Sequence, residues 1–312
     1  TSLRTGKETY AFAKTDKEFT ALLEHPNPKV QSLVAARLGT KSTIEETRTE
    51  NLMKVADRGA LPIMLNYYGA HTGRFSGGDK LNLQNLPRNG AIRKAITVPK
   101  GHSLIACDSS QIEARMVAYI AGQDDLVQAF REGRDVYSEF ATEVYGRKVT
   151  KDDKIQRFVG KTCILGLGYG MGHVKFRATL ALGQGGIAVD IDENEAKRIV
   201  NLYRQKNHKI VSLWHSCGHA LNGMVSGASG KICELLPYDK DGITLPNGLK
   251  IKYNALRNTA DGFEYISDAR TFRKLTQKRL MTGEQQKIDW TRIYGGKVTE
   301  NVVQALARIV VA

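Results

Sequence analysis

The sequence predicts a mixed α+β fold dominated by helix. Apolar residues recur with a helical period over long stretches, most plainly from Gln111 onward and through Arg157–Gly170. Only short segments have strand character: Ser103–Cys107, the alternating stretch "ITLPNGLKIKYNAL", and "FEYISDA" and "WTRIYGG" near the end. The 312 residues are 41% hydrophobic, enough for a sizeable core in one or two domains.

In chain order, residues 1–66 open with a polar, Lys- and Thr-rich segment, followed by helical patterns at about 16–37 and 42–58. Gly59 ends the second, and Pro62 lies just beyond. The stretch "YYGAHTGRFSGGDKLNLQNLP", Tyr67 to Pro87, reads as a loop rich in Gly and Asn. Its donors Arg74, Asn82, Gln84 and Asn85 suit phosphates and minor-groove edges, or equally a solvated surface. Ser103–Cys107 reads as a short buried strand ending at Asp108, just before the helix that starts near Gln111. A carboxylate placed there suits a hard-oxygen Mg²⁺ site or a helix N-cap. Residues 123–260 read as mostly helical, with an Asn247-Gly248 hairpin turn between alternating segments. The final segment reads as strands or a β-ribbon, then a helix from about Thr299.

The stretch "RFVGKTCILGLGYG" spaces Arg157, Lys161, Leu165 and Tyr169 at four-residue intervals. On a helix these share one face. Two cations, an apolar edge and a ring suit a nucleotide's phosphates, sugar and base; an ordinary solvated Arg/Lys face is the plainer account. Gly160, Gly166 and Gly168 each cost about 1 kcal/mol relative to Ala in a helix, so the stretch is a poor helix former.

Lys and Arg number 46 against 32 Asp and Glu, a formal net charge of +14. That balance fits a polyanionic partner such as a phosphate backbone. Four cysteines without framework spacing, and no signal peptide, point to a reducing, intracellular setting. No run of 18 apolar residues occurs, so no membrane span is expected. His215, Cys217, His219 and Cys233 invite a zinc reading. With no CxxC, and with Cys217 off the shared face of the two histidines, buried thiols and surface imidazoles account for them better.

"TGRFSGGDKLNLQNLP", "DSSQIEAR" and "RFVGKTCILGLGYG" stand in the order and context found in family A DNA polymerases, the family of bacterial DNA polymerase I and many phage replicative enzymes. "YYGAHTGR" and "YGGKVTENVVQALAR" look most like phage members. The resemblance covers nearly the whole chain. It implies a right-hand polymerase palm and fingers with a partial thumb: 1–66 partial thumb, 67–122 first palm section, 123–260 fingers, 261–312 returning palm. It also implies template-directed addition of deoxynucleotides to a primer 3′-hydroxyl, in DNA replication, by two-metal phosphoryl transfer.

Roles carry over by resemblance. Asp108 resembles the first catalytic aspartate, a ligand of two Mg²⁺ ions, with Ser109 as a second residue of the metal site. Gln111 resembles a residue near the triphosphate, and Glu113 the steric gate against a ribose 2′-hydroxyl. Arg157 and Lys161 resemble the triphosphate grip, and Tyr169, with Gly170, the ring beside the template base. Arg74, Asn82, Gln84 and Asn85 resemble primer–template contacts; Asn301 and Gln304 resemble palm-helix residues near the same minor groove. Three positions depart from the usual pattern. Tyr137 stands where many relatives have a phosphate-contacting His, Leu165 where Phe or Tyr is common, and Ser109 where Tyr is common. No His-Asp-Glu segment occurs in the 312 residues. The resemblance therefore implies a palm incomplete at its C-terminus and a chain that alone is inactive or weak. The implied partners are primer–template DNA, deoxynucleoside triphosphates and replication accessory proteins, without a membrane. The implied location is the cytoplasm, that of the host if the chain is phage-encoded. Two alternatives remain. A single-subunit RNA polymerase is opposed by Glu113, because such an enzyme must admit the 2′-hydroxyl. A non-catalytic DNA-binding module, or one piece of a split polymerase, is kept open by the absent segment.

Overall fold

The structure, a computed structural model, describes residues 19, 21–39, 44–78, 82–86, 90–105, 107–183, 187–267 and 290–311. The polar segment that opens the chain lies outside them. The chain divides into two compact units: Thr1–Leu65 with Gly77–His102, and Asn66–Ser76 with Ser103–Ala312.

In the first unit, the pattern at 16–37 does not make one helix. A 3-10 turn spans Leu22–Glu24, His25 is extended, and α1 (Pro28–Gly39) begins afresh. Pro26 forces its predecessor out of the helical region, while Pro28 sits at the first helical position, where its missing N–H costs nothing. α2 (Ile44–Ala56) runs toward Gly59, whose φ of +131° few other residues adopt. The chain crosses to the second unit within β1 (Leu65–Asn66) and returns within β2 (Ser76–Gly77). α3 (Ala91–Lys94) follows. Leu52, Met53 and Val55 of α2, with Ile92, Ala95 and Ile96, line an apolar hollow of about 470 Å³.

The second unit holds two cores. The first is built by α4 (Ile112–Ala121), α5 (Asp124–Arg131), α6 (Val136–Tyr145), α7 (Lys154–Gly166), α8 (His173–Leu182) and α9 (Glu193–Lys206). Phe130, Phe140, Val159, Phe176, Leu180 and Tyr203 fill it. The second is built by α10 (His208–Ser226), two sheets and α11 (Gly295–Val311). α4 serves both cores, burying Ala114 and Ala118 in the first and Val117 and Ile120 in the second. In α10, Leu213, Cys217, Ala220, Leu221 and Met224 form one buried stripe at helical spacing. In α11, Val298, Val302, Ala305 and Leu306 do the same.

β3 (Gly230–Lys231), β4 (Pro237–Asp239), β5 (Gly242–Thr244) and β6 (Lys250–Ile251) pair antiparallel in that order, with Ile243 opposite Ile251. The turn between β5 and β6 is the Asn247-Gly248 turn read from sequence, and Gly248 has φ +79°. β7 (Asn254–Thr259), β8 (Gly262–Ile266) and β9 (Thr291–Ile293) form a second antiparallel sheet.

Two readings need correction. The described residues of Ser103–Cys107 form no strand: Leu104 is 70% and Ile105 88% exposed. A strand exists only with a hydrogen-bonded neighbour, and the described strands pair among themselves. The last helix starts at Gly295, not near Thr299. A Cβ at Gly295 would collide with the Trp214 carbonyl, and one at Gly296 with that of Tyr169, so the two glycines let α11 begin in close contact with α10 and with the end of α7. Among the described residues no helix is long and apolar enough to cross a membrane.

Candidate active site

The site residues of the second unit gather on α4 and α7. The segment Cys107–Ser110 is exposed and irregular, and it carries Asp108 and Ser109 at the approach to α4. Gln111 then takes a left-handed conformation, φ +57°, and the helix starts at Ile112. The turn is pinned by Arg115, which donates to the Ser110 carbonyl at 3.0 Å and lies over the Phe130 ring at 4.9 Å. Glu113, in the first turn of α4, pairs with Arg74 at 3.1 Å.

α7 keeps Arg157, Lys161 and Leu165 on one face. The stripe stops there, because Leu167–Tyr169 tightens into a 3-10 turn. Gly166 and Gly168 make that turn inexpensive, and the Trp214 indole donates to the Gly168 carbonyl at 2.8 Å. Tyr169 therefore leaves the face occupied by Arg157. Burial raises its phenol pKa, and the nearby carboxylates of Glu113 and Glu300 raise it further. Gly170, φ +78°, follows against Gly296. Leu165 is exposed, and Lys161 is half-buried.

Arg157 is engaged on two sides. Nε and Nη2 donate to the two carboxylate oxygens of Asp135 at 2.7 and 3.1 Å, and its guanidinium lies 5.3 Å from the Tyr137 ring centre. The Ser138 hydroxyl donates to Asp135 at 2.7 Å. Burial would raise the Asp135 carboxyl, but Arg157 and Ser138 outweigh it and hold the pKa below the ordinary aspartate value. Tyr137 is buried and hydrogen-bonded to Gln111, and burial raises its phenol pKa. Asp135, Arg157, Tyr137 and Gln111 thus form one connected chain, and Arg74 with Glu113 a separate pair.

Sequence alone gives little reason to single out Asp135. Its pairing with Arg157 spans 22 residues and depends on α6 packing on α7. The one local signal is Asp three residues before Ser at a helix start.

The two palm-helix residues differ. Asn301 is buried and donates to the Tyr253 hydroxyl at 3.3 Å. Gln304 is half-buried; it accepts from Thr72 at 3.4 Å and donates to Glu300 at 3.2 Å. In the first unit, Asn82 caps the 3-10 turn Leu83–Asn85 by accepting the Gln84 N–H at 3.1 Å, and the Asn85 carbonyl accepts from Arg48 at 3.1 Å.

No group of three His, Cys, Asp or Glu side chains placed to hold a metal occurs among the described residues. Asp108 offers one hard oxygen donor group, which on its own does not furnish a two-ion set. Cys217 is a core thiol: burial pushes its pKa up to about 12, and the Thr299 hydroxyl lies 3.3 Å from its sulfur.

Residues 1–230 match the profile of DNA polymerase family A. Over 117 residues the chain is 38% identical to DNA polymerase I of Chloroflexus aurantiacus, covering 36% of this chain and 12% of that enzyme. Over 213 residues it is 30% identical to the thermostable DNA polymerase I of Thermus aquaticus, covering 66% and 24%. The POL domain of Pol1 from M. smegmatis, solved in complex with DNA primer-template and dNTP, matches with a TM-score of 0.54. That match covers 97% of this chain and 45% of that one at 22% identity, a likeness of fold. The chain thus spans a quarter or less of the length of these curated relatives.

Proposed function

The chain belongs to DNA polymerase family A, and from that premise we propose that it is the palm and fingers part of a DNA-directed DNA polymerase. The enzyme of which it is a part adds deoxynucleotides from their triphosphates to a primer 3′-hydroxyl on a DNA template. Residues 67–122 and 261–312 are assigned to the palm, 123–260 to the fingers, and 1–66 to part of a thumb. The relatives named above are bacterial, so a phage-type assignment rests on "YYGAHTGR" and "YGGKVTENVVQALAR".

The observation that carries the reading is Arg157 fixed by Asp135 and Tyr137 on the same helix face as Lys161. Phosphoryl transfer is catalysed by position and charge more than by covalent chemistry. Here Arg157, aimed by its pair with Asp135, and the compact ammonium of Lys161 meet a triphosphate from one side. Gln111, bound to Tyr137, and Glu113, held by Arg74, flank the sugar end from α4. Leu165 lends an apolar edge, and Tyr169 with Gly170 closes the nucleotide end toward the template. Mg²⁺, when bound, supplies charge neutralisation at the phosphates, and Asp108 is the described residue that would hold it together with phosphate oxygens. A single carboxylate does not complete a two-ion site. Arg74 and Gln304 contact the primer–template, and the net charge of +14 suits its backbone.

The test is single-nucleotide primer extension and nucleotide binding by the purified chain, with Asp108→Ala and Lys161→Ala as controls. The reading requires salt-sensitive primer–template binding that both variants retain, and nucleotide binding that Lys161→Ala weakens. Nucleotide binding untouched by Lys161→Ala would overturn it.

A further inference from the structure

We propose that Arg308 is a positioning residue that clasps the segment Tyr67–Phe75 to α11 and thereby holds Arg74 against Glu113; the inference rests on the reading of Glu113 as the sugar gate. The Arg308 guanidinium carbon lies 5.2, 5.5 and 5.4 Å from the ring centres of Tyr67, Tyr68 and Phe75. The Tyr67 and Phe75 rings are themselves 5.1 Å apart. Arg308 Nε and Nη2 are buried and have no hydrogen-bond acceptor among the described residues. A buried cation without an acceptor is costly unless something replaces its hydration. Three aromatic faces do so here, and the weakly hydrated, planar guanidinium is the cation best suited to them.

The clasped segment is tightly shaped. Ala70 N–H donates to the Arg74 carbonyl at 3.1 Å, and Gly73 N–H to the Ala70 carbonyl at 2.9 Å. Tyr68 has φ +55°, which a bulky residue adopts only when its surroundings enforce it. Gly73, φ +79°, leaves room for the Tyr68 ring that a Cβ would take. Thr72 adds a second tie to α11 through Gln304. Arg74 directly precedes Phe75, the third ring over Arg308. The Arg74–Glu113 pair is well exposed, with side-chain exposures of 54% and 34%, and such pairs hold weakly by themselves. The direction of Glu113 therefore depends on the Arg74 backbone being fixed, and Arg308 fixes it from below.

Amide hydrogen exchange of the full chain tests the clasp without requiring activity. Arg308→Met keeps the length and loses the charge. It should speed exchange at 69–75 by about tenfold or more, as expected on losing a desolvated cation–π contact, while α10 stays protected. Arg308→Lys should fall between. Unchanged exchange at 69–75 overturns the proposal. If Arg308→Met opens the whole unit, Arg308→Lys decides: acceleration confined to 69–75 supports the clasp, and uniform acceleration overturns it. In single-nucleotide kinetics, Arg308→Met and Arg74→Ala should shift the ribo/deoxy ratio in the same direction as Glu113→Ala. The Arg74/Arg308 double variant should shift it no further than either alone. If Glu113→Ala moves the ratio and Arg308→Met does not, the clasp fails while the gate stands. If Glu113→Ala itself leaves the ratio unchanged, the gate fails, and hydrogen exchange alone judges the clasp.

Discussion

Arg157 lies along the carboxylate of Asp135 with both sides of its fork engaged, Nε at 2.7 Å and Nη2 at 3.1 Å, while its face rests on Tyr137. The side chain is thus held in one direction before any anion arrives. Asp135 either positions Arg157 or competes with phosphate for it. A bidentate, charge-assisted pair fixes a long side chain in a way that a single contact does not. We therefore predict that Asp135→Asn raises the nucleotide KM about tenfold, with primer–template affinity unchanged. Steady-state kinetics decide the matter, since a lower KM would mean that the carboxylate competes.

Lys161 lies one helical turn beyond Arg157 on α7. Removing a pre-placed donor to developing charge costs about 10²–10³ in rate. In a complete version of the enzyme, Lys161→Ala should lose that much nucleotide incorporation while binding primer–template normally. Single-turnover incorporation at saturating nucleotide is the measurement, and unchanged rates would assign Lys161 to an ordinary solvated face.

Much of this architecture could be read in the chain because it is periodic or local. α4, α7, α10 and α11 show their buried stripes as helical spacing, and Asn247-Gly248 announces its own turn. What failed was non-local. Ser103–Cys107 has strand composition, but composition does not say whether a neighbour will pair with it. Asn301, which resembles a residue near the minor groove, is buried and donates to Tyr253, a partner 48 residues away that no local pattern announces. Asp135 and Arg308 act through partners that only packing brings near, so neither carried a sequence signal in proportion to its role.

Glu113 sits in the first turn of α4, five residues after Asp108, and is aimed by Arg74. A side chain there covers the space a 2′-hydroxyl would need. Glu113→Ala should raise ribonucleotide use relative to deoxynucleotide use by about tenfold or more, since a steric and polar mismatch of this size is worth roughly 1–3 kcal/mol. Paired single-nucleotide kinetics give the ratio, and a fixed ratio would place sugar selection elsewhere.

His71 is half-buried between the rings of Tyr253 and Tyr265, with Nε2 2.6 Å from the Lys252 carbonyl. Burial lowers its pKa from 6.5, and the bond to Lys252 opposes this only in part. The folded chain therefore binds this proton less readily than the unfolded chain does. The stabilising contribution is full above pH 6.5 and is lost as pH falls from there through the lower folded value. Urea midpoints measured from pH 7.5 to 5 should drop more steeply for the unmodified chain than for His71→Phe. Parallel curves would remove His71 from the acid response.

Gly160 shows how tightly α6 and α7 are set. In an open helix, Gly→Ala gains about 1 kcal/mol. Gly218 on α10 is such a place, for an added Cβ there meets nothing within 4 Å, so Gly218→Ala should stabilise the chain by about 0.5–1 kcal/mol. At Gly160 the added Cβ would collide with the Tyr137 carbonyl and press on Ala141 at 3.0 Å. A backbone oxygen cannot rotate aside as a side chain can, so the helices must part. Overpacking of this kind costs about 1–3 kcal/mol, which cancels or outweighs the propensity gain. We expect Gly160→Ala to be destabilised by about 1–2 kcal/mol in urea denaturation and to lose nucleotide affinity, because parting α6 from α7 draws Asp135 and Tyr137 away from Arg157. A Gly160→Ala chain as stable as Gly218→Ala would show that this close approach is not needed to hold the site.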